Sequence, residues 1–159
     1  MTHARTAVNE GIDMKQNGKQ PMGRFSVEFE VANNEDLVRA RNGDIDSAKV
    51  RRKVIRGVVD RGATRLVLPA SVVKELGLPT KKKKIKVRYA DGRRALRTEA
   101  DQVRLFLLGR EGTFIAIVEP KRDTALIGAI VLEDLDFLVD CGKQCLVPRD
   151  PDFVVNEIE

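Results

Sequence analysis

Tryptophan is absent from the 159-residue chain, tyrosine occurs once, and aromatics make up only 4% of it. A core must then be built from valine, leucine and isoleucine. The same scarcity removes the interleaved rings on which single-stranded nucleic acid stacks. Histidine occurs once, as His3, so a serine–histidine or cysteine–histidine nucleophilic pair is not expected. The two cysteines, Cys141 and Cys145, flank a turn-like Gly-Lys-Gln. With no histidine or further cysteine nearby, this is a poor zinc signal, and it is too little for a disulfide framework. They read as structural or incidental thiols that a tight hairpin would bring face to face, their pairing left open. No metal and no cofactor are expected. No apolar run approaches the roughly 20 residues of a membrane helix. Residues 1–23 also lack the apolar centre of a secretory signal. The expectation is a flexible polar leader over 1–23, with Met14 or Met22 as alternative starts, no membrane partner and a cytoplasmic location.

What is present is charge and short apolar runs. The formal net charge is +5, concentrated in Arg51–Lys53 and Lys81–Lys84. Basic surfaces attract polyanions, but a lysine run free of aromatics reads first as a solvated face, so nucleic acid is not expected as a partner. The chain length fits one domain with extra terminal sequence: a polar leader over 1–23, a folded domain over 24–149 and a short tail over 150–159.

Phe25–Val31 alternates apolar and polar and predicts a half-buried strand. The polar stretch that follows, with Asn42-Gly43, predicts a loop holding one short helical turn. Val54–Val59 predicts a buried strand. Leu66–Pro69 predicts another, followed by a helix that Ser71 caps and Gly77 closes. Three hairpins follow: one turning at Ala90-Asp91-Gly92, one at Gly109–Gly112, and one over Phe137–Pro148. Between the last two lies a helix after Gly128, with Ile130, Val131 and Leu135 expected to face inward. Many short strands with two short helices predict a mainly-β, barrel-like domain.

One feature resists a purely structural reading. The apolar run Val54–Val59 ends in Asp60-Arg61-Gly62-Ala63-Thr64. A carboxylate at the mouth of a buried strand is a turn residue or a site, because desolvating an unpaired ion is costly. The stretch Val58-Val59-Asp60-Arg61-Gly62-Ala63, then Leu66-Val67-Leu68, resembles the loop of the retropepsin-like aspartic proteases, closest to the short bacterial members. Their second element, two aliphatics and a glycine before a short helix, is similar to Leu126-Ile127-Gly128.

The resemblance implies an acid-protease half-barrel with short helices, active as a homodimer on peptide or protein substrates. It implies Asp60 as the catalytic carboxylate, shared with the Asp60 of a second copy, within the loop Arg61, Gly62, Ala63 and Thr64. Leu126, Ile127 and Gly128 would support that loop. Tyr89, Ala90, Asp91 and Gly92 would form a flap touching substrate. Phe25–Val31 and Cys145–Pro148 would serve as edge strands at the interface. Asp140-Cys141-Gly142 is a poor second loop, since Lys143 stands where a small residue belongs. Arg61 departs from the family's Thr or Ser. A guanidinium cannot replace that hydroxyl isosterically, and a cation there favours the charged form of a neighbouring carboxylate. Weakened activity or a looser dimer is expected.

A second resemblance covers Thr64–Leu96, which is similar to the swapped-hairpin DNA-binding domain of bacterial transition-state regulators. It would turn Arg61, Arg65 and the lysine run into phosphate contacts. A non-catalytic dimeric scaffold on the protease fold is the third reading.

Overall fold

The computed structural model describes residues 24–154 and 158; the leader expected over 1–23 lies outside them. Six strands close into a barrel in the order β1-β2-β8-β3-β7-β6. They are β1 (Phe25–Asn33), β2 (Arg52–Val59), β3 (Leu66–Pro69), β6 (Glu99–Leu107), β7 (Arg110–Glu119) and β8 (Ala125–Ile127). Two hairpins stand apart as separate two-stranded sheets, β4 (Ile85–Arg88) with β5 (Arg94–Arg97), and β9 (Phe137–Asp140) with β10 (Cys145–Pro148). Most pairings are antiparallel. The exceptions, β2 with β8 and β3 with β7, are parallel, and the first of them sets the two motif segments side by side.

The mainly-β expectation holds, and the core is aliphatic as the composition requires. Val27, Val31, Val59, Leu66, Leu68, Leu105, Ile127 and Val131 are almost fully buried, with Phe25 as the largest contributor. Each such side chain contributes roughly 1.5–3 kcal/mol relative to exposure.

Several local expectations need correction. The stretch after β1 is not a loop with a single turn but a two-turn helix, α1 (Asn34–Arg41), followed by a 3₁₀ turn. Asn33 stabilises its start. Its Oδ1 accepts from the Asp36 N–H at 3.1 Å, while its Nδ2 donates to Leu76 O at 2.9 Å. Asp36 is buried and receives the Arg51 Nε at 2.8 Å and Nη2 at 3.0 Å. The Arg51 guanidinium beside Asp36 holds that carboxyl below its ordinary range. Burying a polar helix face is tolerable because its charge is paired and hydrogen-bonded.

Ser71 is not a cap. Helix α2 (Ala70–Glu75) starts at Ala70, with Pro69 in the cap position and no side-chain capping bond. The second hairpin turns at Leu108-Gly109, with Gly112 already inside β7. In α3 (Ala129–Asp134), Ile130 is 42% exposed, and the inward residues are Val131 and Leu132, with Leu135 just beyond. Nor is β1 an edge: it pairs with β2 along Phe25–Ala32 and with β6 over Glu30–Asn33. The two thiols do not face each other, because Cys145 pairs with Asp140 and both cysteines are free.

Candidate active site

Asp60 follows the last residue of β2, and its backbone N–H donates to Ile127 O at 3.0 Å, prolonging the β2–β8 pairing. Its Oδ1 accepts from the Gly62 N–H at 2.9 Å and its carbonyl from the Ala63 N–H at 3.1 Å. The loop therefore closes on its own aspartate, leaving a carboxylate that is 23% exposed.

Beneath the loop lies the start of α3. The first helical N–H groups have no partner within their own helix. Here the Ala129 N–H donates to Ala63 O at 2.8 Å and the Ile130 N–H to Thr64 O at 2.9 Å. Gly128 makes this approach possible. A Cβ there would lie 2.5 Å from Arg65 O and 2.7 Å from Ala63 O, both backbone atoms. Leu126 pairs with Val58 and Val67, and Ile127 is fully buried against Val59. The structure thus brings Asp60, Gly62, Ala63 and Thr64 into one backbone network with Leu126, Ile127 and Gly128. Ala129 and Ile130 join that network through their amides.

Arg61 does not lie against Asp60. Its side chain is exposed and reaches the Cys141 Sγ at 3.9 Å. The cation that does approach Asp60 is Arg24, which the sequence pattern did not single out. The pairing of Phe25 with Val59 places Arg24 across from Asp60, with Nε 3.4 Å from Oδ2. That contact lacks hydrogen-bond alignment, and the buried Arg24 Nε has no hydrogen-bond partner. Close by, Arg122 donates to the Thr124 carbonyl at 2.9 Å and hydroxyl at 3.1 Å. Burial, and then the charge of Arg24, push the Arg122 guanidinium below its ordinary range, against the opposing pull of Glu119, Asp123 and Asp60.

The expected flap, β4–β5, turns at Tyr89–Arg93. The Gly92 N–H donates to Tyr89 O at 2.9 Å, and the φ of +89° at Gly92 suits glycine. Ala90 is exposed, and Asp91 accepts from the Arg93 N–H and Nε at 2.9 and 2.7 Å. Tyr89 is half-buried. Its hydroxyl donates to Glu119, which also receives the Arg97 Nε at 2.9 Å, while Arg93 lies over its ring. Among the described residues no hydrogen bond or ion pair joins Tyr89–Gly92 to Asp60. Glu119 is the intermediate: it holds Tyr89 and contributes, with Asp60, to the field at Arg122.

Asp140 is a hairpin residue, its Oδ1 accepting from the Lys143 N–H at 3.0 Å. Among the described residues no group of three or more His, Cys, Asp or Glu side chains is placed to hold a metal. Nor is any described helix long and apolar enough to cross a membrane.

A small closed barrel, with an Asp-x-Gly loop stacked on an aliphatic–aliphatic–Gly segment and a helix start, is the architecture of the retropepsin-like aspartic proteases. The family model described as "gag-polyprotein putative aspartyl protease" matches residues 46–134, more than half of the chain. The chain belongs to that family. No curated protein matches it.

Proposed function

We propose that the protein is an aspartic endopeptidase that works as a homodimer, each protomer contributing Asp60. Two carboxylates held close together share one proton, because both cannot readily ionise at once. The charged one takes a proton from a water whose oxygen attacks the scissile carbonyl carbon. The neutral one gives its proton to the carbonyl oxygen. The tetrahedral diol then collapses: the carboxyl that took the water's proton gives it to the amide nitrogen, which leaves, while the other carboxylate takes a proton back from a diol hydroxyl, restoring the shared-proton pair.

The observation that carries this reading is the backbone network under Asp60. It fixes the loop through Ile127, Ala129 and Ile130 while leaving the carboxylate partly open, the combination an acid–base group needs. A depression of about 280 Å³ lined by Arg65, Phe114, Ile130 and Asp134 does not include Asp60. Under the dimer reading the substrate channel forms only between protomers, roofed by the β4–β5 flaps. The DNA-binding alternative has less support, because β3 is built into the barrel between β8 and β7 rather than into a separate hairpin domain.

An unstructured protein at mildly acid pH should be cleaved, and pepstatin-like inhibitors should stop the reaction. Asp60→Asn should lower kcat/KM by at least about 100-fold, the lower end for a positioned acid–base group. Arg61→Thr should raise both the rate and the dimer affinity. Cleavage indifferent to Asp60→Asn, or sedimentation showing only monomers, would refute the mechanism. Salt-sensitive duplex-DNA binding unaffected by Asp60→Asn would favour the regulator, and a stable dimer with neither activity the scaffold.

A further inference from the structure

Between Lys81 and Arg97 the chain carries nine lysines and arginines against one carboxylate, Asp91. The formal +8 of this segment exceeds the +5 of the whole chain, so the remainder is net acidic. Three of these cations have partners: Lys81 with Glu99 at 3.9 Å, Arg93 with Asp91 at 2.7 Å and Arg97 with Glu119 at 2.9 Å. The other six, Lys82, Lys83, Lys84, Lys86, Arg88 and Arg94, have no ion-pair partner among the described residues.

The hairpin register sorts them. Ile85, Val87, Ala95 and Arg97 are half-buried on one face. Lys86 pairs with Leu96 and Arg88 with Arg94 on the other, which is exposed. Leu96 is 58% exposed in the middle of that face. Two like charges directly opposite each other, as Arg88 and Arg94 are, cost folding stability. This face therefore sets an exposed apolar side chain beside three uncompensated cations, Lys86, Arg88 and Arg94, with exposed Lys82, Lys83 and Lys84 just before the hairpin.

The end of the barrel next to the hairpin is balanced: Arg24 and Arg122 are opposed there by Asp60, Glu119 and Asp123. Glu119 ties this end to the hairpin through Tyr89 and Arg97.

We propose that this cationic hairpin face selects acidic polypeptide, so that the substrate is a segment rich in Asp and Glu around an apolar residue. The inference rests on the protease reading for cleavage, though not for binding. Carboxylates of the segment neutralise the lysine run and the Arg88–Arg94 pair, and an apolar side chain covers Leu96. Opposite charge on enzyme and substrate raises the encounter rate, by roughly 10- to 1,000-fold at low salt, and salt screens it away.

The test uses the full chain carrying Asp60→Asn, so that binding is read without cleavage. Fluorescence anisotropy compares a labelled Glu-rich peptide centred on one Leu with its Gln-substituted analogue. The acidic peptide should bind at least tenfold more tightly at low ionic strength, and the preference should vanish at high salt. Lys82→Gln, Lys83→Gln and Lys84→Gln together should weaken acidic-peptide binding about tenfold, whereas the matching arginine substitutions should retain it. Equal binding of the two peptides would overturn the proposal. So would a single-stranded oligonucleotide of matched charge displacing the acidic peptide and binding more tightly. With Asp60 intact, equal cleavage of both peptides and no salt dependence would sink the specificity but leave the protease. Selective binding with neither peptide cleaved would sink the protease but leave the docking face.

Discussion

Gly128→Ala should loosen the whole Asp60 loop. Gly128 has φ −91° and ψ −177°, an extended conformation open to any residue, so the backbone is not the obstacle. The obstacle is contact. The added methyl would lie 2.5 Å from Arg65 O, 2.7 Å from Ala63 O and 2.8 Å from Arg65 N, where ordinary contact begins near 3.4 Å. All three are main-chain atoms, so no side chain can swing aside. The loop must retreat by up to about 0.9 Å, stretching the bonds from Ala129 to Ala63 and from Ile130 to Thr64. Overpacking of this kind costs about 1–3 kcal/mol. In a chain of this size that lowers Tm by about 2–12 °C.

The catalytic consequence should be larger, because a misplacement near 1 Å can cost about 100-fold in rate. Scanning calorimetry and steady-state proteolysis read the two effects. Gly142→Ala is the control: its nearest neighbour would be Asp140 Oδ1 at 3.5 Å, so stability should hold. A Gly128→Ala protein with unchanged Tm and unchanged kcat would refute the stacked-loop account.

Asp36→Asn should destabilise the protein by about 1.5–3 kcal/mol near neutral pH, the range for hydrogen bonds to charged groups, because buried Asp36 loses its charge-assisted bonds to Arg51. The folded carboxyl lies below its ordinary 3.8, so its contribution is present above about pH 4 and is lost as pH falls through the folded value. Urea midpoints of the two proteins should therefore converge in acid; a constant gap would exclude the linkage. Tyr89 is the sole tyrosine and tryptophan is absent, so phenolate absorbance reports on the hairpin anchor alone. Burial and then Glu119 push its hydroxyl above the ordinary 10.0, so its stabilising contribution is present below pH 10 and lost as pH rises through the folded value. Glu119→Gln should bring the midpoint back toward 10, and a native midpoint at or below 10 would show that the anchor does not form.

The parts of this molecule that were legible from sequence are those whose signal is local. Asp60-x-Gly62 and Leu126-Ile127-Gly128 are short strings in which an apolar strand end and a glycine carry the pattern, and the parallel pairing of β2 with β8 makes their meeting a matter of topology. The hairpin at Asp91-Gly92 was legible for the same reason, since turn chemistry acts within four residues. What stayed hidden depends on register. Helix α1 has too little apolar periodicity to announce itself; it is held by Asn33 reaching Leu76 and by Asp36 meeting Arg51.

Arg61 and Arg24 show the same contrast at the site. Adjacency in the chain made Arg61 look like the charge that perturbs Asp60, yet at a strand end successive side chains diverge, and Arg61 points to Cys141. Arg24 lies 36 positions earlier in the sequence, and β1–β2 pairing alone brings it within 3.4 Å. Cross-strand pairing, not adjacency in the chain, therefore sets the charge around this loop, and Arg24 is the cation that faces Asp60 across the sheet.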